Sequence, residues 1–320
     1  MSVSAVVRAL REHQTFLICT HINPDPDALA SQVALGLALR QMGKDIILIA
    51  EEKTPQRFLF LPGMTEIQAL GRRRKVSYDA AIVTDAGDLQ RIGDVQRLLR
   101  KDCPLINIDH HVTNTQFGDI NYVRSEASST CEIIFEILKS AKVKLTEDLA
   151  TLLYAGVMTD TGSFRFSNTS ARTHRMVAEL LTFPVNVTEL YKKIYEQVPL
   201  SDIKYFTQVI SRFSSLNDGK LICVDLPLRI VKKFSTQFDL RHKIFSYLST
   251  IEGVEVLVIF TEEKRNTTRV NFRSQGRTDV ALIASKFQGG GHSKASGCVF
   301  PGDMKAAHRR VLPEIRKYLQ

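Results

Sequence analysis

Residues 104–111, PLINIDHH, end a run of apolar residues with one acid and two histidines. An apolar run of this length, bounded by polar residues, is typical of a short buried strand. The acid and the imidazoles then stand where the strand ends, and the carboxyl ends of parallel strands border the ligand crevice of an α/β sheet. The stretch therefore predicts both a fold class and the place of a functional site.

The segments before this stretch alternate between strand-like and helix-like patterns. Such alternation is typical of a parallel sheet with helices on both faces. The strand-like segments are TFLICTH (15–21), DIILIA (45–50) and DAAIVTD (79–85), and the helix-like segments are residues 27–42 and LQRIGDVQRLLR (89–100).

Three helical patterns follow, beginning at Ser128 or Ser129, at Thr146 and at Thr169, and the last stops before Pro184. A polar and aromatic stretch then predicts a helical connector, after which strand-like and helix-like segments alternate again. We therefore expect a parallel-sheet domain, a connector and a smaller C-terminal α/β domain, with the active site in the cleft between the two domains. The predicted bounds are 1–185, 186–212 and 213–320.

Composition is that of a globular protein, because 320 residues with 44% hydrophobic content can bury a sizeable core. The apolar stretches are far shorter than the roughly 20 residues of a membrane helix. The N-terminus lacks the features of a signal peptide, so we expect a cytoplasmic protein with no membrane partner. The net charge of +9 favours acidic partners such as phosphates or nucleic acid. The densest basic runs of the chain, residues 71–75 and 308–317, are typical of solvated surfaces.

Acids and imidazoles stand at the ends of four separate segments. Pro24 and Pro26 restrict the loop that carries two of the acids, and the second acid begins the next helix, where a carboxylate is favoured. The full set is His21, Asp25, Asp27, Asp85, Asp109, His110, His111 and Asp160.

So many carboxylates in one crevice would repel each other unless cations neutralised them, and mixed carboxylate and imidazole ligands suit Mn²⁺, Fe²⁺ or Zn²⁺. Two ions about 3.5–4 Å apart would activate a water for in-line displacement at phosphorus. Each motif alone has a simpler interpretation, since HINPD is an ordinary turn and a single HH pair is usually a packing feature. Their conjunction predicts a two-metal site that hydrolyses phosphoesters.

These residues resemble the motifs of the DHH phosphoesterase superfamily. The resemblance extends over nearly the whole chain, and within the superfamily it is greatest to the NrnA group of bifunctional nanoRNases and 3′-phosphoadenosine-5′-phosphate phosphatases. That group has an N-terminal DHH domain and a C-terminal DHH-associated substrate domain. The further matching segments are FLFLPG (58–63), ASSTCEII (127–134), GSFRFSNTSARTH (162–174) and GGGHSKASG (289–297).

The resemblance implies two divalent metal ions, and Mn²⁺ is the expected ion because the ligands include no thiolate. It implies that His111 donates to the scissile phosphate and that Asp109 orients the histidines. One ion would be held by His21, Asp25, Asp85 and Asp160, and the other by Asp27, Asp85, His110 and Asp160.

In the C-terminal domain, a run of glycines would let backbone N–H groups approach a phosphate or a ribose closely. An arginine on a nearby strand would close the same pocket, because its guanidinium forks onto phosphate oxygens. Taken alone, the glycine run is as typical of a flexible loop as of a phosphate site. The simpler interpretation of the arginine is an exposed strand residue. The predicted substrate residues are Arg273, Ser274, Gly289, Gly290, Gly291 and His292.

The expected activity is hydrolysis of very short oligonucleotides, such as dinucleotides, to mononucleotides and of 3′-phosphoadenosine-5′-phosphate to AMP. Long duplex nucleic acid is not an expected partner, and the resemblance implies a homodimer. One alternative is a phosphodiesterase for cyclic dinucleotides or their linear products. An inorganic pyrophosphatase would have a Lys- and Arg-rich C-terminal pocket, which GGGHSKASG does not resemble. A nucleotide-binding regulator without catalysis would lack some of the ligands, and every expected ligand is present.

Overall fold

The computed structural model describes residues 2–73, 75–235, 238–264 and 266–319, so Arg74 of the basic run 71–75 lies outside the described residues. The chain divides into two compact units, Met1–Ile194 and Tyr195–Gln320. The division falls inside the segment predicted as a connector. Among the described residues, no helix is long and apolar enough to cross a membrane.

The first unit is built on a sheet of six parallel strands in the order β3-β2-β1-β4-β5-β6. The order reverses between β1 and β4, so their carboxyl ends flank the crevice where ligands of open α/β sheets bind. The prediction missed β3 and β6, which are too short to show a pattern. The strands are β1 (Thr15–Cys19), β2 (Asp45–Ala50), β3 (Gln68–Ala69), β4 (Ala80–Thr84), β5 (Leu105–Asp109) and β6 (Ile120–Val123).

Helices of the first unit begin at side chains that cap them. The side chains of Asp25, Ser129, Thr146 and Ser170 each accept a hydrogen bond from a backbone N–H of the first turn. The helices are α1 (Val3–Glu12), α2 (Pro26–Gln41), α3 (Thr130–Ala141), α4 (Glu147–Asp160), α5 (Ala171–Leu180) and α6 (Val187–Tyr191), which continues as a π-helical turn, Lys192–Glu196.

The two faces of the parallel sheet are covered differently. One face packs against α2, which is buried on nearly every side. Leu17 and Cys19 of β1 point to the other face, where they pack against the segment Leu89–Leu98. This segment consists of 3₁₀ turns rather than the continuous helix that the sequence predicts, because Gly93 (φ 61°, ψ −142°) interrupts it.

The second unit contains a mixed six-stranded sheet in the order β11-β12-β10-β9-β8-β7. Only β8 and β9 pair in parallel, and the other neighbours are antiparallel. The strands are β7 (Ser214–Leu216), β8 (Leu221–Leu226), β9 (Val256–Lys264), β10 (Thr267–Ser274), β11 (Gly290–His292) and β12 (Ala295–Pro301).

Helices cover both faces of this second sheet and enclose two apolar clusters. Successive residues of β8 alternate between them: Cys223 belongs to the cluster under α10 and α11, whereas Ile222 belongs to the cluster under α7 and α9. The predicted smaller α/β domain is therefore confirmed. The helices are α7 (Leu200–Ile210), α8 (Leu228–Val231), α9 (Leu240–Leu248), α10 (Val280–Ser285) and α11 (Met304–Arg316).

Candidate metal centre

Three neighbouring strands of the parallel sheet end at predicted site residues. His21 is the second residue after the end of β1, Asp85 directly follows β4, and Asp109 is the last residue of β5. Asp85 has a left-handed backbone conformation (φ 57°), and its amide donates to the carbonyl of Ile108 at 2.9 Å. A left-handed aspartate between buried strands is uncommon, and such strain is concentrated at functional sites.

The start of α2 supplies two carboxylates with different surroundings. Asp25 is exposed and caps the helix by accepting from the amide of Ala28 at 3.0 Å. Asp27 is buried, and its two oxygens accept from the amides of Thr130 (2.8 Å) and Cys131 (3.0 Å), in the first turn of α3. Burial, together with neighbouring carboxylates, nevertheless raises the pKa of Asp27 well above its usual range.

Asp85 lies between the imidazoles of two histidines. Its Oδ2 is 3.6 Å from Nε2 of His21, and its Oδ1 is 3.6 Å from Nε2 of His110. The hydroxyl of Thr130 donates to the same Oδ1 at 2.7 Å. Burial would raise the pKa of Asp85, but the hydrogen bond from His21 and the charges of the surrounding histidines outweigh burial and hold it below its usual range.

His21 is oriented by the backbone beside it. Its Nδ1 lies 2.8 Å from the carbonyl oxygen of Ile22, which can only accept, so Nδ1 carries the proton. In the neutral ring, Nε2 is then the unprotonated nitrogen, as a metal-binding imidazole requires. Burial lowers the pKa of His21, and the hydrogen bond with Asp85 and the charge of Asp25 more than reverse this effect.

The predicted ligands come together in two mixed groups of carboxylates and imidazole, and a third mixed group joins Asp85 with Asp109 and His111. In each group one ligand atom from every residue lies within 4.8 Å of the others. The second group also contains Asp160, whose Oδ2 is 3.4 Å from Nε2 of His110. The first two groups are His21 with Asp25 and Asp85, and Asp27 with His110 and Asp160.

The donor chemistry of these groups fits divalent cations. Burial and the surrounding carboxylates raise the pKa of Asp160, as they do that of Asp27, so the protein alone leaves negative charge uncompensated there. Carboxylate oxygens and imidazole nitrogens at these separations suit first-row divalent metals. The assignment of each residue as a ligand remains a prediction.

The third member of the DHH tripeptide has different partners. Nδ1 of His111 lies 2.7 Å from Oδ1 of Asp109, and Oδ2 of Asp109 accepts from Nδ2 of Asn114 at 2.6 Å. Burial opposes protonation of His111, but the hydrogen bond to Asp109 and the charge of Asp85 raise the pKa of His111 to about 9. Burial likewise raises the pKa of Asp109, and His111 lowers it by more. The surroundings thus favour the protonated form of His111, and an oriented carboxylate holds its ring.

Sequence reasoning missed several residues that support the centre. It treated Ser128 and Ser129 as helix caps and gave Thr130 no role, although Thr130 contacts both Asp27 and Asp85. The segment ASSTCEII was the available signal. It also missed Asn114, which joins Asp109 to the amide oxygen of a buried Asn107 at 2.8 Å.

The predicted substrate residues of the second unit lie on β10 and around β11. The guanidinium of Arg273 stacks 4.7 Å above the ring of Phe245, and burial lowers its pKa. Ser274 is buried at the end of β10. Gly290 and His292 both belong to β11, which pairs with β12.

The three glycines of the run 289–291 differ in how much space surrounds their backbones. A Cβ on Gly289 would lie 2.2 Å from the carbonyl oxygen of Gly297, and Gly291 has a φ of 133° with Ala295 O 2.5 Å from its would-be Cβ. Packing therefore requires glycine at both positions, and at Gly291 the backbone conformation requires it too. At Gly290, no heavy atom of the described chain lies within 4 Å of the would-be Cβ, so this backbone is the open one.

Paired carboxylate and imidazole groups at the switch point of a parallel sheet suit a metal-dependent hydrolase. Comparison with known proteins agrees. Residues 15–157 match the family described as "DHH family, N-terminal domain", and residues 229–320 match the family described as "DHHA1 domain". The chain belongs to the DHH family, as the resemblance implied.

Two relatives named bifunctional oligoribonuclease and PAP phosphatase NrnA are each 32% identical to this chain. The relative from Thermus thermophilus aligns over 94% of this chain and 89% of its own, and the one from Bacillus subtilis over 91% of each. An exopolyphosphatase-related protein from Bacteroides fragilis shares the fold, with a TM-score of 0.88, 23% identity and coverage of 99% of this chain and 96% of its own.

Proposed function

We propose that this protein is a two-metal phosphoesterase that hydrolyses very short oligonucleotides to mononucleotides and 3′-phosphoadenosine-5′-phosphate to AMP. The observation that carries the proposal is the pair of carboxylate and imidazole groups at the switch point of the parallel sheet. The substrates follow from the relatives named oligoribonuclease and PAP phosphatase, which align with nearly the whole chain. The proposed setting is the cytoplasm, and the proposed assembly is a homodimer.

The proposed ions are Mn²⁺, which hard oxygen and imidazole ligands accept. When bound, they would activate water and stabilise the oxygens of an in-line displacement at phosphorus. Asp85 is the proposed shared ligand because His21 approaches one of its carboxylate oxygens and His110 approaches the other. Asp160 is the second proposed shared ligand; His21 and Asp25 complete one set, and Asp27 and His110 complete the other.

His111 has a separate proposed role as a hydrogen-bond donor to the scissile phosphate. Its Nδ1 lies 2.7 Å from Oδ1 of Asp109, and the N–H at Nε2 is the proposed donor to an anionic substrate oxygen. A cationic donor stabilises the charge that develops on the phosphoryl oxygens during displacement. Asp109 keeps the ring charged and oriented, and Asn114 holds Asp109 in place through its second oxygen.

The second unit is proposed to bind the end of the substrate that does not react. Arg273 would fork onto a terminal phosphate, and the open backbone at Gly290 would approach a phosphate or a ribose. Ser274, Gly289, Gly291 and His292 complete the proposed binding segment. An anchor of this kind favours short substrates, because a longer chain gains no further contact from it.

A product time course with the purified protein tests this function. After metal removal by chelator, we expect no hydrolysis, and we expect Mn²⁺ to restore it best. With Mn²⁺, a dinucleotide and 3′-phosphoadenosine-5′-phosphate should be consumed much faster than a 24-nucleotide RNA, a cyclic dinucleotide or pyrophosphate at equal concentration. Full activity in excess chelator would contradict the metal mechanism, and fastest turnover of pyrophosphate or of the cyclic dinucleotide would contradict the substrate assignment.

A further inference from the structure

The positive charge of the protein is concentrated in its second unit. Residues 195–320 contain 20 Lys and Arg against 12 Asp and Glu, whereas residues 1–194 contain 23 against 22. Eight of the nine net positive charges therefore belong to the smaller unit. A field of this sign attracts polyanions over distances of about 10 Å at ordinary salt.

A groove of about 390 Å³ runs between the end of α10 and one side of α11. Its basic residues are Lys286, Arg309, Arg310 and Lys317, against one acid, Glu314. Positions 310, 313 and 317 recur at three- and four-residue spacing and lie on one side of the helix. From Arg310 to Lys317 this row extends about 10 Å along the axis.

The four cations differ in how far they are already neutralised. Glu314 pairs with both lysines, at 2.7 Å from Nζ of Lys286 and 2.6 Å from Nζ of Lys317. Arg309 and Arg310 are exposed, and neither makes an ion pair within the part of the chain that the structure describes. Two guanidinium groups at the groove are therefore available to an anion from outside.

The apolar part of the groove suits a nucleoside better than a bare ion. Phe287 is half-buried and packs against the core of the second unit beside Phe300, so its ring is held in place. Pro313 lies at the opposite side of the groove, in α11. Cations that follow a backbone, combined with an aromatic ring that a base can contact, are typical of single-stranded nucleic acid sites.

We propose that this groove, lined by Lys286, Phe287, Arg309, Arg310, Pro313 and Lys317, binds single-stranded RNA through its phosphates. Arg309 and Arg310 contact successive phosphates with bidentate hydrogen bonds, and Phe287 contacts a base or a ribose. The groove shares no residue with the proposed catalytic or substrate-binding sets. Binding here does not depend on the proposed hydrolysis and can be measured while catalysis is blocked.

The test is fluorescence anisotropy of a labelled 12-nucleotide single-stranded RNA in the presence of EDTA. The variant Arg309→Glu/Arg310→Glu is compared with Lys232→Glu/Lys233→Glu, an adjacent pair of exposed cations on the same unit. Both variants change the net charge by the same amount. We expect Kd to rise at least about tenfold for the arginine pair and to change less than about threefold for the lysine pair. The slope of log K against log salt should fall by about 1.4 for the arginine pair, because each phosphate contact contributes about 0.7.

Both variants should hydrolyse a dinucleotide at the wild-type rate, which separates this proposal from the catalytic one. If Arg309→Glu/Arg310→Glu fails to fold by circular dichroism, Arg309→Gln/Arg310→Gln replaces it with the same expected direction. Equal weakening by the two charge reversals would mean that only the overall field matters, and no weakening by the arginine pair would mean that the groove does not bind RNA. Binding of polyglutamate as tight as that of RNA would also overturn the assignment.

Discussion

At the scale of single residues, the centre depends on Asp85 and on the groups that converge on it. Two imidazoles, a hydroxyl and a strained backbone hold this carboxylate between β1 and β5. His111 belongs to the same cluster, yet its closest partner is the carboxylate of Asp109. The two residues should therefore fail in different ways when removed.

Asp85→Ala should lose bound metal, because it removes the carboxylate that both proposed ligand sets share. His111→Ala should retain metal and lose turnover by about 10²–10³-fold, the effect of removing one donor to a transition-state oxygen. Metal analysis of both purified, folded variants distinguishes the roles. Equal loss of metal from the two would show that His111 is a ligand.

Thr130→Val should weaken metal binding without unfolding α3. The substitution keeps the shape of the side chain and removes the hydroxyl that holds Oδ1 of Asp85. Loss of such a supporting hydrogen bond typically lowers metal affinity about 10–100-fold. Isothermal titration of the metal-free protein with Mn²⁺ measures the effect, and Thr130→Ser, which keeps the hydroxyl, is the control. Similar affinities in the Val and Ser variants would show that the hydroxyl does not position Asp85.

At the scale of elements, two helices end at left-handed residues that are not glycine. Lys142 (φ 61°) follows α3, and the amide of the next residue donates to the carbonyl of Leu138 at 3.0 Å. Gln288 (φ 57°) follows α10 with the same pattern, since the amide of Gly289 donates to the carbonyl of Ala284 at 2.9 Å. Both ends are Schellman motifs, in which glycine is the usual residue at this position.

Lys142→Gly should therefore stabilise the protein. Relief of the left-handed strain favours glycine by about 1–2 kcal/mol, and the greater freedom of glycine in the unfolded chain offsets about 0.4–1 kcal/mol of it. The net gain in the free energy of unfolding is about 0.5–1 kcal/mol, so we expect the thermal midpoint to rise by about one to a few degrees. Lys144→Gly, at an exposed position whose φ is negative, is the matched control and should lower the midpoint. A fall with Lys142→Gly would contradict the proposed strain.

At the scale of the whole molecule, the two units differ in charge and in chemistry. The first is nearly neutral and concentrates its buried acids at one edge of a parallel sheet. The second is strongly basic and carries the glycines and arginines that suit phosphates. A two-unit enzyme of this kind should separate bond cleavage from recognition of the rest of the substrate.

Arg273→Ala should test that separation. We expect the variant to keep its metals, to lose much of its activity on dinucleotides and on 3′-phosphoadenosine-5′-phosphate mainly through KM, and to lose far less on bis-nitrophenyl phosphate. Arg269→Ala is the control, because Arg269 lies four residues away on the same side of β10 and pairs with Glu263. A parallel fall on all three substrates, with folding intact by circular dichroism, would contradict the role of Arg273 as a substrate anchor.

The sequence by itself determined the fold class and the identities of the polar residues at the strand ends. Apolar runs such as residues 104–108 and capping residues such as Thr146 act locally, so their patterns are visible without a structure. Local patterns could not reveal the two-residue strand β3, and they overlooked the break that Gly93 makes in Leu89–Leu98.

Only the tertiary structure decided which groups meet. Thr130 reaches Asp85 across 45 positions of sequence, and the first turn of α3 reaches Asp27 across more than 100. No periodicity encodes such contacts, because they depend on how α3 packs against α2 and the sheet. The structure likewise separated Gly290, which faces open space, from Gly289 and Gly291, which packing and backbone conformation require to be glycine. A run of three identical letters cannot carry that distinction, since it arises from what each backbone position touches.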